Sequence, residues 1–89
     1  MKELRWDPLK SEWVKQTRGI SFEDLLVRGQ HLGTIKNPAR WDQKLMVYFI
    51  DGYVRVVPCI ATEDGYFLKT MYPNRRFQKL WKSGRLNLS

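Results

Sequence analysis

The spacing of hydrophobic positions changes twice along the chain, from alternation to a helical period and back to alternation. Leu4 and Trp6 alternate with polar neighbours, which predicts a first strand over Lys2–Trp6. Hydrophobic residues then recur about once per helical turn, and this period predicts two consecutive helices. From His31 onward β-forming segments return, and a final helical stretch closes the chain.

Local start and stop signals bound the two predicted helices. Asp7 is suited to cap the first helix, Pro8 suits its first position, and Gly19 is placed to end it near residue 18. Ser21 caps the second helix, and Asp24 stands where a capping box needs its acid. The residues predicted to face the core are Leu9, Trp13 and Ile20, followed by Phe22, Leu25 and Leu26.

The second half of the chain predicts an antiparallel sheet. Asp51-Gly52 is a two-residue hairpin signal, and Pro58, which has no amide hydrogen, predicts a bulge or an unpaired side in its strand. The predicted strands are Lys44–Ile50, Tyr53–Thr62 and Tyr66–Met71, with a weaker one over His31–Lys36 that Gly33 disfavours.

One α+β domain over residues 1–89 is therefore expected, with the order β-α-α-β-β-β-α. In this prediction two N-terminal helices pack on one face of the antiparallel sheet. A short basic helix that begins at Pro73-Asn74 follows the last strand.

Positive charge is concentrated at the C-terminal end. The 89 residues contain 16 Lys and Arg against 9 Asp and Glu, a formal net charge of +7. No acidic residue follows Asp64. The cations after it are Lys69, Arg75, Arg76, Lys79, Lys82 and Arg85. A one-signed segment indicates a surface that meets a polyanion, with nucleic acid as the leading partner class.

The remaining composition narrows the chemistry. Cys59 is the single cysteine, which excludes an internal disulfide and a cysteine-based metal cluster, and its apolar strand predicts a core residue. His31 is suited to act as a base near neutral pH, but nothing in the sequence places it beside Lys69. No stretch is long and apolar enough for a signal peptide or a membrane span, so we expect a cytoplasmic protein without a membrane partner. We expect no metal and no cofactor.

The two predicted helix starts lie within two N-terminal motifs, which are Leu-Arg-Trp-Asp-Pro-Leu-Lys at 4–10 and Arg-Gly-Ile-Ser-Phe-Glu-Asp at 18–24. Together these motifs resemble the BrnT family of the RelE/ParE toxin superfamily. The family has a Trp-Asp-Pro-x-Lys opening and a Gly-Val-Ser-Phe-Glu-Glu stretch at similar spacing. The resemblance implies a RelE/ParE-like fold and the toxin of a type II toxin–antitoxin system. Such a toxin cleaves mRNA, free or ribosome-bound, without a metal, and a cognate ribbon-helix-helix antitoxin holds it inactive.

The closing segment carries residue types that this reaction requires. Metal-free RNA cleavage needs a base for the 2′-hydroxyl, cations around the phosphorane and an acid for the leaving oxygen. On this hypothesis Lys69 and Tyr72 transfer protons, and Arg75 and Arg76 hold the phosphate. The predicted RNA-binding residues are Arg55, Lys79, Lys82 and Trp41.

Other functions fit the same pattern. A non-catalytic basic module would bind RNA, DNA or protein through the same cations, and a ParE-like inhibitor of DNA gyrase would share the fold. The cations could also dock an acidic antitoxin segment, or form a solvated helix face that keeps a small protein soluble. Trp41 could equally cover the core instead of stacking a base.

Overall fold

Three helices and a six-stranded mixed sheet form an α+β fold over residues 3–88, the part of the chain that this computed structural model describes. Lys2, the first residue of the predicted first strand, lies outside that range. In chain order the elements are β1 (Glu3–Trp6), α1 (Pro8–Arg18), α2 (Phe22–Arg28), β2 (Gln30–Lys36), β3 (Lys44–Ile50), β4 (Tyr53–Ala61), β5 (Gly65–Leu68), β6 (Tyr72–Pro73) and α3 (Arg75–Lys82).

The predicted boundaries of α1 and α2 are confirmed. Asp7 Oδ1 accepts a hydrogen bond from Leu9 N at 2.9 Å, and Gly19 ends α1 with a φ of 80°. Ser21 Oγ accepts from Asp24 N at 3.0 Å, while Asp24 Oδ2 accepts from Ser21 N at 3.1 Å. These reciprocal bonds satisfy two amides that the helix itself leaves without partners.

The sheet has the strand order β1-β5-β4-β3-β2, and β6 pairs separately with β4. The hairpin between β3 and β4 turns at Asp51 and Gly52, whose φ values of 53° and 77° are the positive ones that the sequence predicted. The prediction of an antiparallel sheet is wrong for β1, which runs parallel to β5 with Leu4 opposite Tyr66. The weaker strand predicted over His31–Lys36 is confirmed as β2, although the predicted order omitted it, and β6 is an additional strand.

Gly65 allows β1 to approach the start of β5. Glu3 N donates to Asp64 O at 2.8 Å, and a Cβ on Gly65 would lie only 1.7 Å from the Glu3 carbonyl oxygen. Any other residue would displace one of the two strands, because two atoms cannot approach that closely.

The predicted strand over Tyr66–Met71 is divided in two at Lys69. Lys69 N donates to Pro58 O at 2.9 Å, next to the last paired residues of β4 and β5. In an antiparallel pair the reciprocal bond would come from the amide of residue 58, and proline has no amide hydrogen. The ladder therefore ends there, and the chain rejoins β4 as β6, where Tyr72 lies opposite Val56.

Both faces of the sheet are covered. One face, here called the α1/α2 face, packs against the first two helices through residues that form one buried cluster: Val14, Phe22, Leu25, Met46, Tyr48, Ile50, Val57 and Cys59. Val47, Val54 and Val56 alternate with them in β3 and β4 and are also fully buried.

The face of the sheet that carries Val47, Val54 and Val56 is here called the α3 face. It is covered by the last helix and the chain that follows it. The ring of Trp81 lies 5.5 Å from that of Phe49 between centroids, and Leu88 packs against Gly33. The basic helix is thus separated from α1 and α2 by the thickness of the sheet.

The predicted buried stripe is wrong for Leu9 and Trp13, whereas Ile20, just past the end of α1, is buried as predicted. Leu9 is 75% exposed and Trp13 is 45% exposed, whereas Ser11 and Val14 are the buried residues of α1. Leu26 of α2, also predicted to be buried, is exposed. Helical spacing indicates which side chains share a face, but α2 and the sheet lie against a neighbouring face of α1.

A polar junction explains why Ser11 is buried. Its Oγ accepts from Phe22 N at 3.1 Å and donates to the Glu23 carboxylate, which also accepts from Trp6 Nε1 at 3.3 Å. The hydrogen bond from Ser11 is the main cause that lowers the pKa of Glu23. Glu23 therefore joins β1, α1 and α2 through its side-chain carboxylate.

Candidate nucleic-acid interface

Charge is segregated in space as it is in sequence. All six ion pairs within residues 3–88 involve only the first 64 residues of the chain: Arg5–Glu3, Arg5–Asp64, Lys15–Asp24, Arg28–Asp24, Arg28–Asp51 and Arg40–Asp42. None of the six cations after Asp64 pairs with a carboxylate in this range. The paired acids are thus engaged by cations of residues 3–64, and the positive charge of the closing segment has no carboxylate partner in the described range.

Four cations of α3 form what we call the α3 surface: Arg75, Arg76, Lys79 and Lys82. All four are exposed, and the first three line a shallow depression of about 480 Å³ together with Leu80. Asn74 caps the helix, since its Oδ1 accepts from the amide of Phe77 at 2.9 Å. The depression thus combines guanidinium and ammonium groups with an apolar floor.

Gln78 fixes this helix to the sheet. It is only 8% exposed; its Oε1 accepts from Val54 N at 2.8 Å and its Nε2 donates to Gly52 O at 3.3 Å. Asn74 N also donates to Val54 O at 3.0 Å. These bonds satisfy the free edge of β4 beside β6, and they set the position from which the α3 surface projects.

The first turn of α3 is electrostatically unlike that of α2. Helix N-termini carry a partial positive charge, and α2 places Glu23 and Asp24 there, as stability favours. The first turn of α3 holds Arg75 and Arg76 and no acid. Two cations at a positive helix end repel that end, so a bound anion would stabilise this turn.

The two predicted proton-transfer residues, Lys69 and Tyr72, have different surroundings. Lys69 is exposed and lines a separate depression of about 360 Å³ with Asp7, Lys10 and Phe67. Its Nζ lies 5.7 Å from the centroid of the Phe67 ring. Tyr72 is half-buried in β6. The structure therefore gathers Arg75, Arg76 and Lys79 around one depression and places Lys69 at another.

Arg55 faces the opposite side of the sheet from Tyr72. Arg55 lies opposite Pro73 and Val56 lies opposite Tyr72, and neighbouring side chains of a strand point to opposite faces. Burial lowers the pKa of Arg55, and its buried Nε has no hydrogen-bond partner within residues 3–88. On the α1/α2 face it is paired across the strands with Tyr48, away from the α3 surface.

Trp41 lies on the loop between β2 and β3 and is 97% exposed. The hypothesis that it folds over the core is therefore wrong. The loop joins the ends of β2 and β3 that are farthest from the Asp51-Gly52 turn, beside which Gln78 holds α3. Trp41 is consequently at the other end of the sheet from the attachment of the basic helix.

His31 and Cys59, the two remaining residues considered for chemistry, are both packed against other parts of the fold. His31 lies against the ring of Tyr48, 5.1 Å between centroids, and its Nε2 is 3.0 Å from Thr34 Oγ1. Cys59 is fully buried, and burial raises the pKa of its thiol to about 11. This confirms Cys59 as a core residue.

In the described range no three or more His, Cys, Asp or Glu side chains are grouped so as to hold a metal ion. No helix among residues 3–88 is long and apolar enough to cross a bilayer.

Sequence reasoning missed two residues that shape these sites. Gln78 was missed because glutamine has no apolar signature, although its neighbours Phe77 and Trp81 mark the side of α3 that faces the sheet. Lys10, from α1, was missed because its place beside Lys69 depends on packing between distant segments.

Comparison of the chain with protein-family models, curated proteins and solved structures finds no match to any of them.

Proposed function

We propose that this protein binds RNA through the α3 surface and acts as a BrnT-like toxin that cleaves mRNA without a metal. The observation that carries the proposal is the uncompensated charge of the closing segment, whose six cations form no ion pair within residues 3–88. A surface that served only solubility would intersperse both signs, because mixing lowers self-repulsion. RNA supplies the missing negative charge at regular spacing.

The shape of the α3 surface suits a nucleic-acid backbone. Arg75 and Arg76 present planar guanidinium groups, which bind phosphate oxygens through two parallel hydrogen bonds. Lys79 follows one helical turn later, and Leu80 offers an apolar contact in the same depression. Phosphate contacts of this kind fix position and contribute most of the affinity, but they do not read sequence.

Binding is tested by the salt dependence of affinity for a fluorescently labelled single-stranded RNA. Exchanging Arg75, Arg76 and Lys79 for glutamine should reduce the slope of log affinity against log salt by about 2, since each single-strand phosphate contact contributes about 0.7. The matched control exchanges Arg5, Arg28 and Arg40, which removes the same charge from residues that form ion pairs. An equal loss in both triple variants would show diffuse attraction by net charge and would contradict the α3 surface as the site.

Cleavage is the second part of the proposal. A base removes the proton of a 2′-hydroxyl, that oxygen attacks the adjacent phosphorus, and the 5′-oxygen leaves with a proton from an acid. The products are a 2′,3′-cyclic phosphate and a 5′-hydroxyl. Lys69 and Tyr72 are the proposed proton-transfer groups, and Arg75 and Arg76 would stabilise charge on the phosphorane.

The cleavage assay uses RNA with a chelator present, with and without ribosomes. Lys69→Gln and Tyr72→Phe are expected to lower the cleavage rate by about 10²–10⁴-fold while binding is retained. Lys10→Gln, in the same depression as Lys69, is the matched control and should cleave normally. If purified protein leaves RNA intact under both conditions, the cleavage proposal fails and the binding proposal stands.

A non-catalytic RNA-binding module is the second candidate. The observation that favours it is the separation of Lys69 from the depression lined by Arg75, Arg76 and Lys79. The cleavage assay separates it from the toxin. A cytoplasmic location and a ribbon-helix-helix antitoxin as partner are proposed only for the toxin, not for the binding module.

A further inference from the structure

The loop between β2 and β3 carries a second basic and aromatic site, remote from α3. We infer that Trp41, Lys36 and Lys44 bind one unpaired nucleotide of RNA, whose base stacks on the indole and whose phosphate lies between the two lysines. The inference deepens the proposed RNA binding and rests on it. It adds a preference for single-stranded over duplex RNA.

Trp41 is presented to solvent without any partner for its ring. It is 97% exposed, and within residues 3–88 it makes no ring stacking or cation–π contact. It lines a depression of about 550 Å³ with both lysines, a volume in the range of small-ligand sites, roughly 300–1,000 Å³. An exposed tryptophan lacks the stabilisation that aromatic side chains gain when they are buried in the core. Its flat face is available to stack on a base.

The two lysines stand in an unfavourable pair. Lys36 lies directly opposite Lys44 in the register of β2 and β3, and like charges in this position destabilise a sheet. Neither lysine forms an ion pair with a carboxylate in the described part of the chain. The one acid of the loop, Asp42, lies 3.9 Å from Arg40 Nε and also lines the depression. One carboxylate against three cations leaves the site positive, so a bound phosphate would relieve the repulsion.

Hydrogen bonds within the loop between β2 and β3 restrain its backbone. Asn37 Oδ1 accepts from Ala39 N at 2.9 Å, and Asn37 N donates to Gln43 O at 3.2 Å. Gln43 N donates to Arg40 O at 3.0 Å. Because these bonds already restrain the loop, it loses little conformational entropy when a base stacks on Trp41. More of the free energy of stacking is therefore retained as binding affinity.

The chemistry selects an unpaired nucleotide. In a duplex both faces of each base are already stacked, and side chains reach little more than the backbone and the shallow groove. A single strand can turn a base onto an aromatic side chain, and this contact tolerates any sequence. The α3 surface, in contrast, meets phosphates that both forms of RNA possess.

The two sites are far enough apart to be tested separately. The loop follows β2 and precedes Lys44, whereas Gln78 attaches α3 beside Gly52, just past the other end of β3. The seven residues of β3 span about 20 Å. Variants at Trp41 therefore leave the α3 surface unaltered.

The experiment compares affinities for oligouridylate of about 12 nucleotides and for a duplex of the same length, within the usual site sizes for single strands. Trp41→Ala should weaken binding of the single strand by about 5- to 150-fold, the range expected for one lost stacked base, and should leave duplex binding unchanged. Trp41→Phe, which retains a stacking ring, should recover much of the loss. Trp13→Ala is the matched control, because Trp13 is also exposed and lies beside a lysine, with Lys10 Nζ 4.4 Å from its ring.

The lysines are tested by the salt dependence of the same binding. Lys36→Gln alone and Lys44→Gln alone should each flatten the slope for the single strand by up to about 0.7, if the phosphate lies between them. Single-strand affinity that is unaffected by Trp41→Ala, in protein that binds both RNAs, would overturn the nucleotide site and leave the α3 proposal standing. Folded protein that binds neither RNA would overturn both. Weakening of duplex and single strand alike by Trp41→Ala would also contradict the inference.

Discussion

Replacing Gln78 by leucine is expected to destabilise the fold and to loosen α3 from the sheet. The amide side chain is 8% exposed, accepts from Val54 N at 2.8 Å and donates to Gly52 O at 3.3 Å. Leucine has a similar volume but no polar atom. The substitution therefore leaves a buried backbone amide without a partner while opening little or no cavity.

The magnitude follows from the two lost bonds. A buried donor without a partner costs about 1–3 kcal/mol, and this applies to Val54 N. The bond to Gly52 O contributes less, because the exposed turn allows water to replace the lost donor. For a domain of this size about 1 kcal/mol shifts Tm by about 4–8 °C, so a fall of roughly 5–20 °C is expected.

Two measurements check this expectation. Urea unfolding followed by circular dichroism gives the free energy of unfolding, and amide hydrogen exchange by NMR reports on Val54 directly. Gln16→Leu is the matched control: Gln16 is exposed on α1, so the same chemical change should alter stability by less than about 0.5 kcal/mol. The exchange of the Val54 amide should accelerate only in Gln78→Leu.

Equal unfolding midpoints for the two variants would refute the reasoning about Gln78. An unchanged exchange rate at Val54 would do so even if the global stability fell. A Gln78→Leu protein that stays folded but loses RNA affinity, with every cation intact, would show that the sheet positions the α3 surface.

Two further substitutions and one labelling experiment test the scaffold. Gly65→Ala should lower the free energy of unfolding by about 1–3 kcal/mol or more in urea denaturation, because its Cβ would clash with Glu3 O. Hydrogen bonds from Lys15 and the Ser21 amide lower the pKa of Asp24 from 3.8 to about 2. The stabilising contribution of Asp24 is therefore complete above pH 4 and is lost as the pH falls toward 2. Asp24→Asn should remove this part of the acid dependence, which is measured by unfolding at a series of pH values. The Cys59 thiol, buried and with a pKa near 11, should react with a thiol reagent at pH 8 only as fast as the protein unfolds.

Local signals in the sequence predicted local structure correctly. The caps at Asp7 and Ser21, the helix end at Gly19 and the turn at Asp51-Gly52 each depend on interactions within a few residues. The stability of each cap or turn depends mainly on these local interactions and little on tertiary contacts. Residue type and spacing are therefore enough to recognise them.

Features that depend on distant pairing were not predictable in the same way. The parallel pairing of β1 with β5 joins residues about 60 positions apart, and short alternating strands carry no mark of their partner. Helical period showed that Leu9 and Trp13 share a face, but it could not show that Ser11 would bond to Phe22 and Glu23 and turn a different face inward. The broken strand at Lys69 was encoded in Pro58, whose effect appears only once its partner residue is known.

Charge lies between these two cases, and this is why the candidate interface was partly visible in advance. The absence of acids after Asp64 is a property of the sequence, but it would mean little if the fold brought the carboxylates of the preceding residues beside those cations. The structure does the reverse. Asp24, Asp51 and Asp64 pair with cations of the first half, which removes them as partners for the closing segment. Because an isolated protein would be more stable with those cations neutralised, their arrangement supports the proposal that an anionic partner binds this segment.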